Sequence, residues 1–331
     1  MDLETKKDKR KIKLISIKRF KKYVFKALIC IVVILLIGFS YEKIGEYNDT
    51  NNYPPVGKMV TVNNHKINVY SKGNGNVTVV FLSGMKTPSA YADMYPLYNE
   101  ISKYTKTVVY DRPGHGWSEI TDKPRDIDSI VKEMHTALIE SGQKPPYILV
   151  GHSLASLSVI RFAQTYENEV SRLVLIDGVS PESHAKNSLV IPNSTVFKYK
   201  LLKSIGIARL VLYHTDYYSK NLNFLPDNLK KLYLGMILKT MYNKNIIDEG
   251  IMESTGSKII LANGHLGNVS LRIFTSESNS LNTEWENSQE ALKKWSTDSM
   301  QMVVKGSTHT IHHTYPDVIN NEIKKLIKSQ I

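Results

Sequence analysis

The stretch Tyr147-Ile148-Leu149-Val150-Gly151-His152-Ser153-Leu154-Ala155 carries the first structural signal in this chain. Four residues suited to a buried strand run straight into Gly-His-Ser, and an apolar helical pattern begins directly after. A serine in that setting sits on a tight strand-to-helix turn. Backbone approaches backbone there, so the positions two before and two after the serine must be small; they are Gly151 and Ala155.

Working outward, Lys58–Val62 and Lys66–Ser71 alternate on either side of Asn63-Asn64 and predict a β-hairpin. Val77–Leu82 is a continuous apolar run, the pattern of a strand covered on both faces. A helix over Ala90–Lys103, a strand at Thr107–Tyr110 and a helix over Asp126–Gly142 lead to the 147–150 strand. After the helix that follows Ser153 come strands at Arg172–Ile176, Ser270–Thr275 and Met300–Val304, and a final helix over Pro316–Lys328. This alternation predicts an α/β fold: a mostly parallel sheet with helices on both faces, made mixed by the opening hairpin. Residues 181–266 break the rhythm. They are rich in Tyr, Leu and Met, with helical patterns at Thr195–Tyr213 and Asp227–Thr240, and read as a helical cap inserted over the strand ends. The plainer alternative is an irregular extension.

The net charge of +12 in 331 residues looks like a nucleic-acid signal until it is located. Residues 1–26 hold eleven Lys/Arg against three Asp/Glu, a net +8, which leaves +4 for the other 305. No nucleic-acid partner is expected from so localised a charge. Tyr23 to Tyr41 then runs YVFKALICIVVILLIGFSY. At 1.5 Å per helical residue, such a run spans roughly the 30 Å hydrocarbon core of a bilayer. Residues 1–22 therefore read as a basic cytoplasmic tail and 23–41 as a transmembrane signal anchor. The cluster Lys6–Lys22 before the span places the remainder outside the cell membrane. A cleaved signal peptide is the competing reading, against which Ile37-Gly38-Phe39-Ser40 lacks a small-x-small site. Residues 42–56, polar and ending near Pro54-Pro55, read as a linker, and 57–331 as the globular domain. The sole cysteine, Cys30, lies in the apolar run, so no disulfide or thiolate metal site forms within one chain.

Polar residues at the carboxyl ends of the strands are the ones that reach a ligand in open α/β sheets. A serine hydroxyl attacks a carbonyl only when a base takes its proton, usually a histidine oriented by a carboxylate. His309, in the short Lys305-Gly306-Ser307-Thr308-His309 loop after a strand, is the expected base for Ser153. His312 and His313 follow it, but no acidic ligand is recognised near them, so no metal is expected. Asp177 and Glu277 both end strands and are the alternative acids. Oxyanion donors are expected from the backbone N–H of Leu154 and of Met85, the latter in the Ser83-Gly84-Met85 turn. No cofactor is expected: the Gly114-His115-Gly116 turn lacks the helix start and downstream acid of a dinucleotide site.

These pieces together resemble the α/β-hydrolase fold over residues 57–330. The matching segments are Val80-Phe81-Leu82-Ser83-Gly84, Tyr110-Asp111-Arg112-Pro113-Gly114-His115-Gly116-Trp117-Ser118, Pro145 to Ser153, Leu173–Asp177 and Gly306-Ser307-Thr308-His309. The chain most resembles the membrane-anchored serine hydrolases of Gram-positive bacteria. The resemblance implies a triad in the order serine, acid, histidine. Three departures stand out: Ser83 where many relatives carry His, Ala155 for the last elbow glycine, and Asn279 about where many relatives carry aspartate. The last moves the acid to Asp177, a position some branches use. A serine hydrolase of esters, or of amides as in aminopeptidases of this fold, is the expected function. Its partner would be a small-molecule ester or amide, with oligomeric state left open. The alternative is an impaired hydrolase fold serving as an extracytoplasmic binding module.

Overall fold

The computed structural model describes residues 2–186, 188, 190–215 and 222–329, with side chains described from Ile17 onward. Of the basic tail, the residues before Ile17 are thus described by backbone alone. The helices are α1 (Asp2–Asn52), α2 (Ala90–Asp93), α3 (Tyr95–Ile101), α4 (Ile127–Glu140), α5 (Ala155–Thr165) and α6 (Pro181–His184). Then follow α7 (Asn193–Ser204), α8 (Ile207–His214), α9 (Asp227–Thr240), α10 (Lys244–Ala262), α11 (Glu277–Ser280), α12 (Thr283–Lys293), α13 (Ile311–Thr314) and α14 (Pro316–Lys328). The strands are β1 (Lys58–Val62), β2 (His65–Lys72), β3 (Thr78–Leu82), β4 (Lys106–Tyr110), β5 (Tyr147–His152), β6 (Val170–Ile176), β7 (Ser270–Ser276) and β8 (Ser299–Val304).

They form one eight-stranded sheet in the order β1-β2-β4-β3-β5-β6-β7-β8. The β1–β2 and β2–β4 pairs are antiparallel, while β3 pairs in parallel with β4 and β5. The sheet continues in parallel from β5 to β8. Every residue of β3 and β5 is buried, as their unbroken apolar sequence requires of strands with helices on both sides. One apolar core holds Met134 and Leu138 of α4 and Leu157 and Ile160 of α5 against one face. The other holds Leu97 and Ile101 of α3 and Ile319 and Ile323 of α14 against the opposite face. Because β5 to β8 run in parallel, the loops after them emerge along one edge. Ser153, Asp177, Glu277 and His309 all lie there.

Two expectations need correction. Thr195–Tyr213 is not one helix: Gly206, at φ 73°, breaks it into α7 and α8. Residues 42–56 are not a loose linker. The helix continues to Asn52, and Pro54-Pro55 follows its end, consistent with proline having no N–H to continue the ladder. Gly38, Glu42, Gly45 and Asp49 are spaced four, three and four apart, so they share one helix face. That face meets the insertion. Arg209 of α8 donates Nε to Glu42 at 2.9 Å and Nη1 to Asp49 at 2.8 Å, and Tyr213 donates its hydroxyl to Asp49 at 3.2 Å. Gly45 is needed because a Cβ there would collide with the Arg209 guanidinium. Polar composition suggested a linker, whereas the spacing encodes a docking face.

α1 is long and apolar enough to cross a membrane, and its 18-residue apolar window is wholly unburied. Arg209 and Glu42 are both buried. Breaking such a pair strands a charge away from water, so Arg209→Ala should cost about 3–5 kcal/mol. Arg161→Ala, whose partner Asp128 is 52% exposed, should cost less than about 1 kcal/mol. Thermal unfolding of the detergent-solubilised chain measures both; equal shifts would show that the α1 clamp contributes no more than a surface pair.

Candidate active site

Ser153 has φ 54°, the left-handed backbone of a sharp strand-to-helix turn. The turn is tight enough that a Cβ on Gly151 would lie 3.0 Å from the Ala155 carbonyl oxygen and from Val159 Cγ2. Ala155 itself is buried at the first turn of α5, so its extra methyl is accommodated. The loop after β3 closes on the same turn: a Cβ on Gly84 would lie 3.0 Å from His152 Nδ1 and 3.1 Å from Ser153 Cβ. Buried Arg112 holds that loop, donating to the carbonyls of Ser83 at 2.6 Å and Gly84 at 3.2 Å. It pairs with Glu249 of α10 at 3.3 Å, not with Asp111 beside it in sequence. Leu154 and Met85 both line the cleft at Ser153. Among the described residues neither backbone N–H meets an acceptor in the chain.

Asp177, His309 and Ser153 are brought together. His309 Nδ1 lies 2.7 Å from Asp177 Oδ2, and its Nε2 lies 2.9 Å from Ser153 Oγ. A carboxylate on Nδ1 fixes the tautomer, leaving the Nε2 lone pair for the serine hydroxyl. Glu277 is directed elsewhere, accepting the N–H of Gly306 at 2.9 Å on the loop that carries His309.

Asp177 is fully buried and accepts four further hydrogen bonds. These come from Ser276 N–H (2.9 Å), Ser276 Oγ (2.8 Å), Asn279 Nδ2 (2.6 Å) and Trp285 Nε1 (3.1 Å). Burial alone would raise its carboxyl, but hydrogen bonds from His309 and Ser276 and electrostatic attraction to the His309 ring hold it below the usual carboxylate range. Asn279, which stands where an aspartate was expected, thus donates to the acid one strand earlier. Ser276, Asn279 and Trp285 were missed as site residues because spacing along the chain does not show what a buried carboxylate on another strand needs.

Sequence distance also hid the partners of His312 and His313. Asp93 of α2 lies 3.2 Å from His312 Nε2 and 3.0 Å from His313 Nε2, which corrects the view that no acid stands near this run. Asp93, His152 and His312 each offer a ligand atom within 4.8 Å of the others, so the lack of an acidic ligand on which metal binding was set aside no longer holds. The contacts themselves form a packed network. His152 Nε2 lies 3.0 Å from the His309 carbonyl and therefore donates to it. The His152 ring packs tilted against its neighbours, its centroid 4.7 Å from that of His309 and 4.5 Å from that of His312. Burial and the neighbouring imidazoles push His152 well below the ordinary histidine range. His115 is buried, and burial brings it down to about 4.

The cleft at Ser153 has a volume of about 330 Å³. Val179 and Trp285 supply apolar wall, and the insertion contributes His184 and Glu253, paired at 2.8 Å. The place of His184 beside Ser153 depends on α6 packing against α10.

A profile described as the alpha/beta hydrolase fold matches residues 77–232. Protein YbdG of Bacillus subtilis is 31% identical over 245 residues, 72% of this chain and 75% of that one. The chain belongs to the α/β-hydrolase-fold family. The 2-hydroxy-6-oxo-2,4-heptadienoate hydrolase of Pseudomonas putida is 25% identical over 186 residues, 55% of this chain and 63% of that one. Among solved structures, a laboratory-evolved variant of the potato epoxide hydrolase StEH1 superposes with a TM-score of 0.65 at 15% identity, covering 82% of this chain and 98% of that one. Family and enzyme-named relatives together support a hydrolase.

Burial, His313 and His309 bring His312 down to about 4, against opposition from Asp93. The unfolded chain, with an ordinary histidine near 6.5, binds the proton first. The stability from keeping His312 neutral is therefore complete above about pH 6.5 and is lost as pH falls toward 4, on the order of 3 kcal/mol. His312→Gln keeps a donor for Asp93 without titrating. Its unfolding midpoint should fall less steeply between pH 7 and 5 than that of the unaltered chain. Parallel curves would show that His312 is not held neutral.

Proposed function

We infer that this chain is a membrane-anchored serine hydrolase that cleaves small carboxylic esters, and more slowly amides, through an acyl-enzyme on Ser153. The observation that supports it most is the unbroken line from the Asp177 carboxylate through His309 to Ser153 Oγ, at 2.7 and 2.9 Å. In this reading Ser153 Oγ attacks the substrate carbonyl while His309 Nε2 takes its proton. Ionised Asp177 stabilises the imidazolium that results. The oxyanion is received by the N–H groups of Leu154 and Met85. His309 then gives the proton to the departing alcohol or amine. Water attacks the acyl group with His309 again as base, releasing the acid and restoring Ser153.

The apolar walls from Val179 and Trp285 favour an acyl group of modest size in the 330 Å³ cleft. For the membrane, the reading rests on the length and apolarity of α1 and on the basic cluster Lys6–Lys22 before it. That asymmetry puts the N-terminus in the cytoplasm and the hydrolase domain outside.

Hydrolysis of p-nitrophenyl acetate and butyrate by the detergent-solubilised chain tests the assignment. Ser153→Ala and His309→Ala should each remove turnover above background. Asp177→Asn should lower kcat by about 10⁴, because it offers Nδ1 the wrong tautomer. Glu277→Gln should change it no more than a few-fold. Turnover that survives Ser153→Ala in folded protein would refute the serine mechanism, and a large loss confined to Glu277→Gln would transfer the acid role.

A further inference from the structure

Two helices of the insertion carry apolar surface that none of the described residues covers. Phe197 and Leu201 stand one turn apart on α7, with Phe197 69% exposed. Ile207, Leu210 and Val211 form one face of α8, with Leu210 53% exposed, while Arg209 and Leu212 on its other side are buried. A contiguous exposed apolar face on an amphipathic helix marks a binding surface.

The place of this face relative to α1 identifies what covers it. The turn between α7 and α8 packs against α1 at Gly38, inside the apolar run 23–41. A Cβ on Gly38 would collide with the Ile205 carbonyl, and a Cβ on Gly206 with the Gly38 carbonyl. Tyr41, at the end of the run, lies 3.5 Å through its hydroxyl from His214 Nε2 at the end of α8. Gly38 is three residues before that end, about 4.5 Å along the helix axis. The Arg209 contacts with Glu42 and Asp49 fix α8 against the helix just beyond. If α1 crosses a bilayer, the α7–α8 turn lies at the level where hydrocarbon gives way to headgroups. The charge fits too. From Ser183 to Thr215 the chain has no Asp or Glu, and besides Arg209 and Lys203, which pair with acids of α1, it carries Lys186, Lys198 and Lys200. Lys198 and Lys200 are exposed beside Phe197. Lysines flanking an apolar helix face suit anionic lipid headgroups.

We propose that the α7–α8 hairpin is a second membrane contact: its Phe197, Leu201, Ile207, Leu210 and Val211 face enters the bilayer that α1 spans. The same insertion supplies His184 and Glu253 to the Ser153 cleft, so docking would hold one wall of that cleft close to the lipid surface. The proposal rests on reading α1 as a membrane span.

Single-cysteine variants Phe197→Cys, Leu210→Cys and Ile139→Cys, each in a Cys30→Ser background, place an environment-sensitive fluorophore at exposed positions. Ile139, 52% exposed on α4, is the comparison site outside the insertion. Native Cys30 in the otherwise unaltered chain reports on α1. All are reconstituted as full chains in phosphatidylcholine–phosphatidylglycerol vesicles. At positions 197 and 210, doxyl-labelled lipid should quench the probe and aqueous iodide should quench it several-fold less than at position 139. Probes at 197 and 210 that behave like the one at 139, with Cys30 lipid-quenched, would overturn the docking alone. An iodide-accessible Cys30 would overturn the membrane span and the docking with it.

Discussion

The site depends on one buried carboxylate. Asp177 directly follows β6 with φ 43°, its backbone N–H donating to the Phe274 carbonyl of β7, and its side chain collects donors from β7, α11, α12 and the loop after β8. An ionised carboxylate in that position would be costly without partners; each oxygen has at least two. The same bonds that keep it charged fix the loop ends of β6, β7 and β8 relative to one another. That arrangement sets the position of His309, and through it the environment of the Ser153 hydroxyl. Stability and the geometry of the Ser153 site are therefore supplied by the same contacts.

Behind the serine, a second polar layer holds the histidine loop from the other side. Asp93 ties His312 and His313 to α2, and His152 donates to the carbonyl of His309 itself. Both sets of contacts are made inside the fold, where effective dielectric is low and hydrogen bonds are strong. Gly84 and Gly151 allow the backbone to close around Ser153 without side-chain obstruction.

The series of strands along the chain, the elbow and the strand-end positions of Asp177, Glu277 and His309 were legible in the sequence because each rests on local pattern: apolar runs, a small-x-Ser-x-small turn, a polar residue at a strand end. The choice of Asp177 over Glu277 came from the resemblance. What was not legible depends on contacts between distant segments. Asn279 read as a lost acid and is a donor to Asp177, 102 residues earlier. Asp93 is 219 residues from His312. Residues 42–56 read as linker because their composition is polar, although the Gly38–Glu42–Gly45–Asp49 spacing already placed two acids on one helix face. Their partner, Arg209, lies 167 residues from Glu42, and no local rule pairs them.

The central claim is that Ser153 is an activated nucleophile. Its most direct test is mass-spectrometric mapping of the full chain after reaction with a fluorophosphonate. The account predicts one phosphonyl adduct, on the peptide containing Ser153, abolished in His309→Ala although the serine is still present. Folded protein without an adduct, or with one at another serine, would contradict it.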